Sequence, residues 1–131
     1  GGSGMVEKFQ RLGFGWIRWR PHTKWEDVQP DGPDSWVWFD DILDEQESRG
    51  QCAHLCLYGW PKWAMDAPDN DPNRNPLPKD MRWAADDPRW DDLTVKTSWD
   101  KFVEGMVTHY RDRSVIFEIE NEPEFDHWDN Y

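Results

Sequence analysis

Three apolar runs of strand length, at residues 14–19, 52–58 and 114–120, each stand directly behind a stretch with helical spacing. That order, helix then strand three times over, constrains the fold more than any other feature of the sequence. A strand buried on both faces reads as continuously apolar, and strands separated by helices pair in parallel through right-handed crossovers. In the first helical stretch, residues 5–12, Val6, Phe9 and Leu12 share a stripe and Gly13 supplies the stop. In the second, Phe39, Ile42, Leu43 and Gln46 follow the helical step, Asp40 and Asp41 suit the positive end, and Gly50 closes the helix. In the third, Ser98 can cap a stripe of Trp99, Phe102, Val103, Met106, Val107 and Tyr110 that reads as core, with Arg111 and Arg113 at the negative end. The expected class is therefore α/β with a parallel sheet. Three parallel strands leave open edges, so either more chain completes the sheet or helices cover a small open one.

The connections differ in length. After the first strand the chain turns polar at Pro21, runs through Trp25-Glu26-Asp27-Val28-Gln29-Pro30, and turns at Asp31-Gly32-Pro33. Residues 59–97 form a long loop crowded with Pro, Asp, Asn and Trp, a length rare in a compact domain unless the loop has a task. Within it Asp69, Asp71, Asn73 and Asn75 alternate as calcium ligands can, but the glycine and the closing bidentate Glu of such a loop are missing, and a solvated turn is the better reading. Residues 1–4 read as a linker or as the end of a preceding loop, and residues 5–131 as one domain. Cys52 and Cys56, four apart on a strand, lie about 13 Å from each other at the usual rise, too far to bridge. They read as buried thiols. A metal role has only His54 to add, which is expected on the opposite face of the strand, so no metal or other cofactor is expected.

A net charge of -12 with 15 scattered Lys and Arg residues would repel phosphate backbones, which argues against nucleic acid as a partner. No apolar stretch reaches the roughly 20 residues that span a bilayer, and the first residues do not resemble a signal peptide. The 11 Trp residues are far above ordinary usage. An indole gives a flat apolar face and one N–H donor, which suits both burial and stacking on a sugar ring.

The end of the last strand carries the chemistry. Phe117-Glu118-Ile119-Glu120-Asn121-Glu122-Pro123-Glu124 sets four carboxylates directly behind a buried run. So many acids raise one another's pKa unless something neutralises them. A solvated acidic loop is the plain alternative. The carboxyl end of a parallel strand is nevertheless where a barrel keeps its catalytic groups, and the proline fixes the turn that follows.

These residues resemble a known family. Asn121-Glu122-Pro123 is similar to the Asn-Glu-Pro that ends strand four of clan A glycoside hydrolases. Leu12-Gly13, Trp16-Ile17-Arg18 and Trp25-Glu26-Asp27-Val28-Gln29-Pro30 resemble the second strand and its loop in that clan, with two residues inserted near Pro21-His22, which leaves Arg18 or Arg20 as the matching arginine. Ser48-Arg49-Gly50 and Tyr58-Gly59-Trp60-Pro61-Lys62-Trp63-Ala64 look like the frame of the third strand and its Pro-x-Trp turn. Phe117-Glu118-Ile119-Glu120-Asn121-Glu122-Pro123 resembles the Trp-Glu-Ile-Trp-Asn-Glu-Pro run of β-xylosidase, α-iduronidase and exopolysaccharide-hydrolase relatives. Phe117 and Glu120 depart from it, and Glu120 puts an acid where an aromatic platform would stand.

The resemblance spans the chain from the first helix to just beyond the clan's fourth strand, and it implies about half of a (β/α)8 TIM barrel, whose usual length is roughly 200 residues or more. It implies a retaining hydrolase of a β-linked oligosaccharide or polysaccharide, a secreted or periplasmic setting, and Glu122 as general acid/base with Asn121 holding the sugar 2-hydroxyl. The nucleophile, about 5 to 5.5 Å away across the sugar, comes from the seventh strand in that clan, so a complementary half-barrel or a second copy is the partner expected to complete the site. Trp60 and Trp63 would wall the cleft, and Arg18, Arg20 and His22 are further substrate-side candidates. Glu118 shares the strand face of Glu120 and Glu122 if alternation continues; residues two apart on one strand lie side by side, so neither Glu118 nor Glu120 suits a nucleophile. Glu118 is expected to face the barrel interior, tied to an arginine such as Arg18. Two other readings stay open: a non-catalytic half-barrel that binds carbohydrate or serves as scaffold, and an acidic interaction domain with a fortuitous motif.

Overall fold

The computed structural model of the chain describes residues 3–65 and 77–119. The three apolar runs become β1 (Trp16–Trp19), β2 (Cys52–Leu57) and β3 (Val115–Ile119), between helices α1 (Ser3–Arg11), α2 (Trp25–Val28), α3 (Asp40–Ser48) and α4 (Ser98–Tyr110). The sheet runs in sequence order, β1-β2-β3, and both pairings are parallel. Trp16 stands opposite Cys52, Ala53 opposite Val115 and Leu57 opposite Ile119. This is the α/β class read from the helix and strand alternation. No described helix is long and apolar enough to cross a membrane.

Strand alternation sorts the side chains into two unlike faces. Ile17, Trp19, Ala53, Leu55, Leu57, Val115 and Phe117 pack in one core with Leu43 of α3 and with Phe102, Met106 and Tyr110 of α4. On the other face Trp16 is 52% and Ile116 46% exposed, beside Arg18, His54 and Glu118. The described helices thus bury one side of the sheet only.

The core is built around Trp25, fully buried in the one-turn helix α2. The polar loop expected here hides that turn, because Trp25 and Val28 make just one apolar contact row, shorter than a helical pattern needs. Trp60 and Trp63 meet the Trp25 ring edge-on, at centroid distances of 5.8 and 5.5 Å. Phe102 stacks on it at 5.5 Å, and beyond Phe102 the near-parallel rings of Trp36, Trp38 and His109 continue the column. Gly105 makes room for Trp36: a Cβ there would run into the indole. The Trp25 N–H donates to Gln29 Oε1 (2.6 Å) and Gln29 Nε2 to the Pro33 carbonyl (2.5 Å), so the buried donor is satisfied. Buried Gln46 does the same between layers, accepting from Trp19 Nε1 (2.9 Å) and donating to the Cys52 carbonyl (2.6 Å).

Several expectations shift at the edges. Helix α1 starts at Ser3, so Ser3 and Gly4 belong to it, and it ends before Leu12, which is 71% exposed; the side chains of Val6 and Phe9 lie outside the description. Phe14 precedes the strand it was assigned to and is exposed. The cap of α4 is Thr97, not Ser98: Thr97 Oγ1 accepts from the Asp100 N–H and the Asp100 carboxylate takes the Thr97 N–H, a reciprocal box. Ser98 bonds Asp80 instead, through its N–H (2.6 Å) and hydroxyl (2.8 Å), which ties the long loop to the helix start. Val107 leaves the expected core stripe and is exposed, because the helix turns Met106 and Tyr110 inward and Val107 past the edge of the contact. Among its described residues the loop after β2 contains three 3-10 turns, Lys62–Ala64, Lys79–Met81 and Pro88–Trp90. Asp69, Asp71, Asn73 and Asn75 lie outside the described residues.

Arg113, just past α4, closes the outer layer. It bonds Glu47 (3.0 Å) and Asp44 (2.5 Å) of α3 and approaches Asp40 at 3.6 Å, while the Ser114 N–H donates to Glu47 (2.8 Å). The Arg113 hydrogen bond, supported by that of Ser114, holds the Glu47 carboxyl below its ordinary 4.5. A depressed folded value means that the stabilisation is complete above 4.5 and is lost as pH falls through the lower folded value. Glu47→Gln should therefore lower Tm at pH 6 and converge on the wild type under acid conditions, a difference read by thermal melts across pH. Trp25→Ala should cost about 3–5 kcal/mol in urea unfolding, whereas Leu12→Ala should change stability by less than about 0.5 kcal/mol.

Candidate functional site

The open face of the sheet gathers residues from all three strands. Glu118 of β3 reaches across β2 to Arg18 of β1, and two bonds join them: Arg18 Nε to Oε2 at 2.8 Å and Nη2 to Oε1 at 2.7 Å. His54 of β2 places Nε2 2.8 Å from Oε2 of the same carboxylate. Arg18 Nη2 also lies 3.5 Å from Cys56 Sγ. The expected tie between Glu118 and an arginine such as Arg18 is present.

The electrostatics follow from these contacts. The hydrogen bonds that Arg18 donates to Glu118 raise the Arg18 pKa above its already high ordinary value. Burial pushes the Cys56 thiol up, and the neighbouring Glu118 charge adds to the shift, so Cys56 is held as a thiol and not as a reactive thiolate. Glu118 has both oxygens taken by cationic or imidazole N–H groups. A carboxylate bound this way is an anchored charge, poorly placed to attack carbon or to pass a proton on.

His54 departs from its expected position. It was assigned to the face opposite the cysteines, yet 52, 54 and 56 differ by two, and a period of two puts all three on one side. The strand spacing alone carried that signal. Cys52 and Cys56 are both free thiols, as the four-residue spacing requires. With Arg18 supplying the positive charge at Glu118, the cluster does not resemble a metal centre, and no group of His, Cys, Asp and Glu suited to a metal ion occurs among the described residues.

The remaining candidates sit around the carboxyl ends of β1 and β2. Arg20 is exposed, 5.6 Å above the Tyr58 ring, and its carbonyl accepts from the Tyr58 hydroxyl at 3.2 Å. Of the two arginines, Arg18 points along the open face and Arg20 caps its rim. His22 takes a left-handed backbone at φ 72°, its N–H donating to Asp27 (3.2 Å), and its ring lies 4.4 Å from that of Phe39. Trp60 and Trp63 are half-buried against Trp25, and the Trp63 N–H is committed to the Gln29 carbonyl at 2.7 Å. Their contacts make them part of the aromatic core. Gly59, at φ 83°, holds the turn between β2 and these rings where a Cβ would collide with Glu26. Glu120, Asn121, Glu122, Pro123 and Glu124 lie outside the described residues; β3, which leads to them, ends at Ile119.

Arg18 and Glu118 are each about a third exposed, at 36% and 31%, so water screens their attraction. A double-mutant cycle of Arg18→Gln and Glu118→Gln in urea should give a coupling of about 0.5–1 kcal/mol, and a coupling of zero would mean that the pair does not hold the outer strands together. Comparisons with protein-family models, with curated proteins and with solved structures found no match to this chain.

Proposed function

We propose that the chain is part of a (β/α)8 barrel of the clan A glycoside hydrolase type, and that it contributes the general acid/base, Glu122, to retaining hydrolysis of a β-linked glycan. One observation carries the reading. The sheet is parallel and in sequence order, its described helices cover one face, and the other face bears a charged cluster, with Asn121-Glu122-Pro123 following in sequence one residue after β3. A doubly wound sheet would place helices on both faces and reverse its strand order at a switch point. A barrel keeps all helices outside, fills its interior with side chains from the strands, and does its chemistry at the carboxyl ends of the strands.

In this reading Glu122 gives its proton to the departing glycosidic oxygen and later takes one from water, while Asn121 holds the sugar 2-hydroxyl. Anchored by Arg18 and His54, Glu118 contributes charge and rigidity to the inward face. The nucleophile is the second carboxylate of a retaining pair, about 5 to 5.5 Å from the acid/base, which the family likeness assigns to a seventh strand beyond these residues. The substrate is an oligosaccharide or polysaccharide, and no cofactor enters the scheme.

With the complementary strands supplied, aryl β-glycosides should be hydrolysed with retention of configuration. Glu122→Ala should lower kcat on substrates with poor leaving groups by about 100- to 10,000-fold, and added azide should restore rate on activated aryl glycosides, which need no acid to leave, by attacking the glycosyl-enzyme in place of activated water. Absence of turnover in the completed barrel, with saccharide binding retained, would replace this reading with a carbohydrate-binding half-barrel.

A further inference from the structure

Two tryptophans of the loop after β2 take no part in the core around Trp25. Trp83 and Trp90 meet edge to face, with centroids 4.9 Å apart and planes at 62°. Together with Arg89, Asp92, Lys96 and Asp100 they line a pocket of about 180 Å³. The Trp90 indole N–H is fixed by a 2.9 Å bond to the Ala84 carbonyl, yet the residue remains 42% exposed. Its ring is therefore oriented by the protein while much of it stays open. Trp83 has the Arg89 guanidinium 4.7 Å from its centroid, and Asp87 clamps that guanidinium with both oxygens, at 2.9 and 2.7 Å.

The polar lining sets the acceptors Asp92 and Asp100 beside Thr97, Lys96 and the clamped Arg89. Asp92 bonds Thr94 through Oδ1, and Asp100 bonds Thr97 through Oδ2, so each has a second oxygen without a hydrogen bond among the described residues. An oriented indole beside carboxylate acceptors suits a pyranose, whose C–H face packs on the ring while its hydroxyls donate to the acids. The volume admits a single sugar ring. Charge narrows the ligand further: Asp86, Asp87, Asp91 and Asp92 crowd the segment and Asp87 already neutralises Arg89, so among the described residues Lys96 is a lone cation on a lining with two carboxylates in a chain of net charge -12, and an anionic sugar is disfavoured.

The pocket also opens at the right end of the fold. Its loop leaves the carboxyl end of β2 and returns at the start of α4, where Thr97 and Asp100 serve both as cap and as pocket wall. Because β2 and β3 are parallel, the carboxyl end of β3, which leads to Asn121-Glu122-Pro123, lies at the same edge of the sheet.

We infer that the Trp83–Trp90 pocket is a subsite for one neutral pyranose unit of a glycan, an inference that rests on the glycan reading above. The test uses the full chain, labelled with 15N, and follows the indole N–H signals while methyl β-xyloside, methyl β-glucoside and the β-1,4-linked trisaccharides of xylose, glucose and mannose are added. Trp90→Phe and Trp83→Phe identify the two signals by their loss. The expected result is a saturable shift of the Trp90 and Trp83 signals, with trisaccharide affinity weakened roughly tenfold in Trp90→Ala. Shifts confined to other indoles, an unchanged affinity in Trp90→Ala, or no response to any of the saccharides would each overturn the subsite. The readout needs no turnover. Shifting Trp90 signals in a protein whose completed barrel hydrolyses nothing would keep the pocket and remove the enzyme, whereas hydrolysis with silent Trp83 and Trp90 would do the reverse.

Discussion

The burial of one indole organises this fold. Trp25 sits in a single turn of helix that could not persist alone, since a first turn fixes several residues for very little hydrogen bonding. It persists because Phe102 of α4, together with Trp60 and Trp63 from the turn after β2, encloses the ring, and because Gln29 satisfies the buried N–H. A buried aromatic side chain contributes a few kcal/mol through area alone and more through close packing. The Trp25 N–H of the backbone also donates to the Tyr58 carbonyl (2.8 Å), so the loop after β1 and the end of β2 are joined at the same residue. Remove that ring, and the loop after β1, the turn after β2 and helix α4 lose their common contact.

The aromatic wealth of the chain therefore divides in two. Trp25, Trp36, Trp38, Trp60, Trp63 and Trp99 face one another or Phe102 and serve cohesion. Trp83 and Trp90 form a separate pair in a loop anchored to α4 through Asp80 and Ser98. The Trp83–Trp90 pair combines a fixed ring orientation with an open surface and acceptors nearby. The polar face of the sheet is different again, since Arg18 and His54 both bind Glu118 there.

Helix and strand periodicity was legible because it is a property of neighbouring residues: Leu43, Gln46, Phe102, Met106 and Tyr110 are buried where the 3.6-residue step puts them. The partnership of Arg18 with Glu118 was legible because strand alternation and opposite charge select it. Trp25 was not read as a core residue, since its partners come from three later segments and nothing local distinguishes a buried indole from one in a loop. The cap moved from Ser98 to Thr97 because both can accept an N–H, and the choice depends on Asp80, 18 residues away, claiming Ser98. The face of His54 is legible as well, because 52, 54 and 56 differ by two and strand alternation puts them on one side. The Trp83–Trp90 pair was hidden by the length of its loop, where no period exists to say which residues meet.

The link between Arg18 and Glu118 joins residues 100 positions apart and passes over the central strand, connecting two outer strands that are not neighbours. Backbone pairing tolerates displacement, because a parallel ladder shifted along its axis still finds N–H and carbonyl partners. The bidentate contact does not. A slip of one residue in either outer strand turns Arg18 or Glu118 to the opposite side of the sheet, and a slip of two carries one of them nearly 7 Å along its strand, outside bonding range. The pair thus acts as an alignment mark, satisfied only when all three strands are in one register, and it couples the position of the strand leading to Glu122 to that of a strand laid down at the beginning of the chain.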